Sequence, residues 1–281
     1  METNAPRKAP FELRLSDGGT IRGEVRFVPS GGRKPVVLIA HGFKGFKDWG
    51  FLPYAAERIA KAGFYAVTFN FSRNGVGVGE AFDELNKFAL NTYSRELSDL
   101  ERIMAALAGR ELPHPEQADA KRVGICGHSR GGGNAIVFAS EHPIVRAAVT
   151  WNGIARANLF DEEFEAAARR DGQAFVPNAR TGQQMPIGKG FFEDLDQGRE
   201  RFDIPARLAS LRAPVLLIQG DADSPRLVEG FERLQEAAPR QPSLRLEGAS
   251  HTFGAVHPFA GPTPELEAAL DATVRFLQEK M

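Results

Sequence analysis

The spacing of apolar positions divides the chain into alternating extended and helical segments. Phe11–Leu15 and Thr20–Val28 alternate apolar and polar residues around Asp17-Gly18-Gly19, the pattern of an antiparallel hairpin with one wet face. Pro35–Ala40 is a continuous apolar run, as expected of a strand covered on both faces. Leu52, Ala55, Ala56, Ile59 and Ala60 recur at helical spacing and stop at Gly63, and a second apolar run follows over Tyr65–Phe71. The stripe Leu97, Leu100, Ile103, Met104, Leu107 predicts a second helix ending near Gly109. Further buried strands are predicted at Val123–Cys126, Ala147–Trp151, Pro214–Gln219 and Ser243–Leu246. Helices are predicted up to Ser140, over 225–237 and over Leu266–Leu277. Strand–helix alternation of this kind implies a mostly parallel, doubly wound α/β sheet with helices on both faces.

One segment breaks the rhythm. Residues 154–211 contain no buried-strand run, but predict a helix over Asp161–Arg170 and a hairpin over Ala174–Ile187 around Thr181-Gly182. The carboxylates open that helix and the arginines close it, as the helix dipole favours. The segment is too long for a plain loop. It is expected to be a cap inserted over the carboxyl ends of the strands, where open α/β sheets bind ligands. The organisation expected is therefore one domain over residues 1–281 with a cap at 154–211. Met1–Pro10, with two prolines and mixed charge, is expected to be a loose tail.

Composition narrows the function classes. Lys and Arg number 35 against 36 Asp and Glu, with no basic block, so a nucleic-acid partner held by phosphate neutralisation is not expected. No apolar stretch approaches the roughly 18 residues needed to span a bilayer, and no apolar run near the start reads as a signal peptide. Cys126 is the single cysteine, which excludes an internal disulfide framework and suits a cytoplasmic location. A homodimer is compatible with this composition but not required by it.

The chemistry centres on Gly127-His128-Ser129-Arg130-Gly131. A G-x-S-x-G pattern is weak alone, but here it lies between a buried strand and an apolar helix, the setting of a nucleophile elbow. Flanking glycines let a tight turn lift the serine hydroxyl clear of the sheet. A serine needs a base, and the base an orienting acid. His251, just beyond the last strand, is the preferred base, with His257 as runner-up. The acid should follow the preceding strand, where Gly220-Asp221-Ala222-Asp223 stands. Asp223 is preferred, with Asp221 in reserve as a loop-stabilising residue. The expected oxyanion donors are the backbone N–H groups of Arg130 and of Phe43, in the loop after the first buried strand.

These residues carry a resemblance. His41-Gly42-Phe43, Gly127-His128-Ser129-Arg130-Gly131-Gly132, the Gly220–Asp223 loop and Gly248-Ala249-Ser250-His251 are similar to the motifs of α/β-hydrolases. Within that superfamily the chain most resembles the dienelactone hydrolase, acyl-peptidase-like and cinnamoyl or feruloyl esterase groups. The resemblance spans roughly residues 11–281 apart from the cap. It implies the α/β-hydrolase fold and a Ser129–His251–Asp223 triad, its G-x-x-D pattern favouring Asp223. Two positions depart from it. Ser224-Pro225-Arg226 follows the acid, so a different local loop is expected, and arginine stands at 130, its side chain expected to meet an acidic substrate or solvent.

The function expected is a serine carboxylesterase acting on small, medium or hydroxycinnamoyl esters, with a small-molecule ester as partner. An acyl-peptidase or amidase is the alternative, and a non-catalytic binding protein is a third. No H-E-x-x-H, C-x-x-C or His–carboxylate cluster calls for a metal, and no cofactor is implied. Gly75–Gly79 lacks the spacing of a phosphate loop and is expected to be a flexible connection. The segment 154–211 brings Phe160, Phe164, Phe175, Phe191, Phe192 and Phe202, which either line an aromatic site or pin the segment to the sheet.

Overall fold

The computed structural model describes residues 5–281, so the start of the expected tail, Met1–Asn4, lies outside the described residues. The remainder of that expectation is corrected. β1 spans Arg7–Arg14 and pairs antiparallel with β2, Thr20–Phe27, from Arg7 opposite Phe27 to Arg14 opposite Thr20. Mixed charge and Pro10 do not prevent this, because an outermost strand is bonded on one side only and tolerates proline there.

β2 runs antiparallel to β4, Tyr65–Asn70, and from there the sheet is parallel. β4 is followed in space by β3 (Lys34–Ala40), β5 (Ala118–His128), β6 (Val145–Trp151), β9 (Val215–Gly220) and β10 (Ser243–Leu246). The strand order is β1-β2-β4-β3-β5-β6-β9-β10. The central strands are apolar throughout, as a sheet covered on both faces requires. One covering layer contains α1 (Leu52–Lys61) and α9 (Pro264–Lys280). Their buried residues join Val37, Ile39 and Trp151 in a single core. The other contains α3 (Tyr93–Ala108), α4 (Arg130–Glu141) and α8 (Pro225–Ala237), packed around Leu38, Ile125 and Leu217.

Three short helices escape the periodicity reading. α2 (Leu85–Ala89) has five residues, α6 (Lys189–Gln197) begins with Gly190 as its second residue, and α7 (Ile204–Ser210) has seven. Elements of one or two turns show too few repeats for a 3.6-residue pattern to register. α5 (Glu162–Asp171) matches the expected helix, with the Asp161 side chain accepting from Phe164 N–H at 2.8 Å. β7 (Gln173–Pro177) and β8 (Gln184–Gly188) form the expected hairpin as a separate two-stranded sheet. Among the described residues no helix is long and apolar enough to cross a membrane.

Asp99 on α3 is buried against the loop after β4 and accepts from Ser72 N–H at 2.6 Å. Burial raises its carboxyl from 3.8 to about 7. The folded state thus holds this proton more tightly than the unfolded chain. The contribution is fully present below about pH 4 and is lost as pH rises through about 7. Asp99→Asn is expected to flatten that part of the decline, measured by urea unfolding between these pH values. An unchanged pH slope would contradict it.

Candidate active site

β5 ends at His128, and Ser129 turns the chain into α4 with φ 55° and ψ −116°, a region that side chains rarely occupy. The turn is held from three sides. Ser129 N–H donates to the Trp151 carbonyl at 2.9 Å, and the Ser129 carbonyl accepts from Gly132 N–H at 3.0 Å and Ile154 N–H at 3.2 Å. Glycine at 127 and 131 is a matter of space. A β-carbon at Gly127 would lie 2.0 Å from the Gly131 carbonyl oxygen, and one at Gly131 would lie 2.4 Å from that of Ala40.

The loop after β3 lies against the serine. A β-carbon at Gly42 would meet the Ser129 β-carbon at 3.1 Å. His41 shapes this loop from within the core. Its Nε2 accepts from Phe71 N–H at 3.3 Å, so its proton is on Nδ1, which donates to the Gly42 carbonyl at 2.9 Å. Burial pushes the His41 ring below its ordinary range and keeps it neutral. The N–H groups of Phe43 and Arg130 donate to no other group among the described residues. That of Arg130 is a first-turn helix N–H with no partner of its own.

His251 lies in the loop after β10 and Asp223 in the loop after β9. The His251 Nδ1 and Asp223 Oδ2 are 2.7 Å apart. Burial alone would raise the Asp223 carboxyl. The His251 ring, Ser224 N–H and the Gln219 amide outweigh this and hold it below the usual range. Asp221 does something else, accepting from Gly248 N–H at 2.7 Å and so tying the two loops together. His257 accepts from Gly50 N–H at its Nδ1, and the nearest carboxylate, Glu80, is 3.5 Å from its other nitrogen. After Asp223 the expected different loop is a helix start, with Pro225 in the first turn of α8.

Two groups that the motif reading left aside hold the base. His128 Nε2 donates to the His251 carbonyl at 2.8 Å, and burial pushes the ring down to about 3, which keeps it neutral. Asn152, fully buried with φ 50°, donates to the same carbonyl at 2.8 Å and to that of Ser250 at 3.2 Å, while its Oδ1 accepts from Gly220 N–H at 2.7 Å. One side chain thus joins the ends of β6 and β9 to the histidine loop. No sequence motif marks it; its position directly after a buried strand is the one available signal.

Arg130 requires a correction. Its side chain meets neither solvent nor an open cavity: it is 2% exposed, and its Nε donates to Glu96 at 2.9 Å. The guanidinium lies 4.2 Å from the Tyr93 ring centroid and 5.3 Å from that of Phe191. Glu96 also accepts from Asn134 and Asn91. The first turn of α4 faces α3, so a long cation there is buried and has to be paired.

Ser129 opens on two cavities. One of about 510 Å³ has His251, Phe43, Trp49 and His257 in its wall. The other, of about 560 Å³, runs between Ile154–Asp161 and one face of α8. Of the six phenylalanines of the 154–211 segment, Phe160 alone lines either cavity. Phe160, Phe164, Phe191 and Phe192 pack on one another, Phe202 packs on Tyr93, and Phe175 is 51% exposed. Arg201 is half-buried and paired with Glu141 of α4 at 2.7 Å. Asn152→Ala would leave the His251 carbonyl one donor short and Gly220 N–H without a partner. It is expected to cost about 2–4 kcal/mol in urea unfolding; a loss under about 0.5 kcal/mol would show that the clamp is dispensable.

The chain is similar to several known proteins. A curated Escherichia coli sequence, described as an uncharacterized 31.7 kDa protein in the traX-finO intergenic region, is 26% identical over 244 residues, covering 75% of this chain and 80% of its own. A crystal structure of dienelactone hydrolase from Anabaena variabilis aligns over 99% of both chains with TM-score 0.64 and 20% identity. Est1E from Butyrivibrio proteoclasticus, solved with ferulic acid bound, aligns over 96% of this chain and 98% of its own, with TM-score 0.69 and 16% identity. These solved structures share the α/β-hydrolase fold. Residues 24–188 match the dienelactone hydrolase family, and the chain belongs to that family of hydrolases.

Proposed function

We propose that the protein is a serine carboxylesterase in which Ser129 is the nucleophile, His251 the base and Asp223 the acid that orients it. The observation that carries this reading is the 2.7 Å contact between Asp223 and His251, with His251 and the strained Ser129 in the wall of one cavity. Ser129 Oγ attacks the ester carbonyl as its proton passes to His251 Nε2. The N–H groups of Phe43 and Arg130 receive the oxyanion, with the positive end of α4 beneath it. The carbonyl–alcohol bond then breaks and His251 protonates the departing oxygen. Water, deprotonated by the same ring, cleaves the acyl-enzyme and returns Ser129. The segment 154–211 acts as a cap, joined to the main body by Arg201–Glu141 and by the ring contacts of Phe160 with Phe43 and of Phe191 with Tyr93.

Small, medium and hydroxycinnamoyl esters suit the apolar walls on either side of Ser129, with Phe43, Trp49 and Leu52 in one cavity and Ile154, Leu159 and Phe160 in the other. A panel of p-nitrophenyl esters from acetyl to dodecanoyl, with methyl ferulate and an aminoacyl anilide, tests the reading. Ester turnover is expected, and Ser129→Ala should lower kcat at least about 10³-fold. Failure of the wild type to turn over any ester, or to label with a fluorophosphonate, would leave the binding-protein reading. Turnover of the anilide alone would favour the amidase.

The two aspartates separate cleanly in this scheme. Asp223→Asn should reduce kcat by about 10³–10⁴ by leaving the ring in the wrong tautomer. Asp221→Asn should change it less than about tenfold, since Asp221 acts on loop geometry. Equal effects in steady-state kinetics would count against Asp223 as the acid.

A further inference from the structure

Ser129 is the single described residue shared by the two cavities, and His251 lines one of them alone. That asymmetry orients an ester. The bond that forms joins Ser129 Oγ to the acyl carbon, and the bond that breaks releases the alcohol oxygen. The serine proton travels through His251 to that oxygen, so the alcohol must depart on the side where His251 stands. The acyl group, left on Ser129, has the other cavity.

The chemistry of that second cavity is distinct. Close to Ser129 it is apolar, with Ile154, Leu159 and Phe160. Beyond them it carries Arg156, Arg226 and Arg233, the last two seven residues apart on one face of α8. In the 154–211 segment Arg169, Arg170 and Arg201 are paired with Glu165, Asp171 and Glu141, whereas Arg180, Arg199 and Arg207 have no carboxylate within 4.0 Å among the described residues. Among the described residues Arg156, Arg226 and Arg233 also have none within 4.0 Å, and these three stand together in one cavity wall. Two carboxylates share the cavity. Asp161 is occupied in capping α5, and Glu229 is exposed. Arg226 is instead held by the carbonyls of Leu159 and Asn158. Burial and the nearby charge of Arg156 push its guanidinium below the ordinary value. Three guanidinium groups against two carboxylates leave the cavity wall with an excess of positive charge that a bound anion relieves, and a guanidinium fork matches a carboxylate in shape.

We infer that this cavity receives the acyl group and that the preferred substrates are esters whose acyl chain ends in a carboxylate, such as half-esters of dicarboxylic acids. This rests on the serine-esterase reading above and adds to it an orientation and a substrate class. The test compares kcat/KM for monobenzyl glutarate, adipate and pimelate with the matching ω-amides, which have the same shape without the charge. The best carboxylate chain is expected to exceed its amide by about tenfold or more at low salt, and the advantage to shrink as salt screens it. Arg226→Gln should lower the acid-to-amide ratio. Because that change also frees the carbonyls of Asn158 and Leu159, Arg156→Gln and Arg233→Gln, at exposed positions, provide the same test without disturbing the wall.

Equal rates for acid and amide, or a ratio unchanged in all three variants, would overturn the inference. So would a preference for the charge on the alcohol side, tested with a neutral acyl ester of an ω-hydroxy acid. If those rates are nevertheless abolished by Ser129→Ala, the serine-esterase reading stands and the substrate class alone is wrong. Rates indifferent to Ser129→Ala would remove both.

Discussion

At Gly127 the carbonyl oxygen of Gly131 lies 2.0 Å from where a β-carbon would be, and at Gly131 the carbonyl of Ala40 lies 2.4 Å away. No side chain fits at either position, so the ends of β3 and β5 and the start of α4 are in backbone contact. The candidate site depends on that closeness. It brings the loop of Gly42 against Ser129 and lets the serine hold φ 55° between a strand and a helix. A non-glycine residue there stores of the order of 1–3 kcal/mol of strain. It is retained because the N–H and carbonyl of Ser129 are both bonded to fixed neighbours on β6 and in the loop beyond it.

Around this contact lies a layer of buried polar groups, each with a partner on a different element. Asn152 joins the ends of β6 and β9 to the histidine loop, His128 bonds the same loop from β5, and Glu96 gathers Arg130, Asn134 and Asn91. In a low-dielectric interior such bonds are demanding, because an orphaned member costs more than the bond contributes when made. They fix where the loops end up more tightly than apolar packing would, and they place His251 and Asp223 within 2.7 Å of each other although they lie on separate loops.

The fold was legible from the sequence wherever burial has a period. Pro35–Ala40 and Tyr65–Phe71 announced β3 and β4, and the leucine and isoleucine stripe announced α3. The reading failed where structure depends on partners. Arg7–Pro10 look like a tail by composition, yet they pair with β2 through backbone groups that leave no mark in the side-chain pattern. α6 and α7 are too short for periodicity, and Asp203, which caps α7, is not preceded by any helical pattern.

What the sequence determined by itself was local. An apolar run tells how deeply a strand is buried, and glycines at fixed offsets around Ser129 tell that the chain turns sharply between strand and helix. Neither property requires knowledge of a distant residue. What the tertiary structure alone decided was pairing: Arg130 with Glu96 rather than with solvent, Asp221 with Gly248 N–H and Asp223 with His251, Phe160 at a cavity while Phe191 and Phe192 are packed away. Each outcome depends on which remote element folds against the residue. A charged or aromatic side chain is compatible with several environments until the sheet order and the helix packing select one.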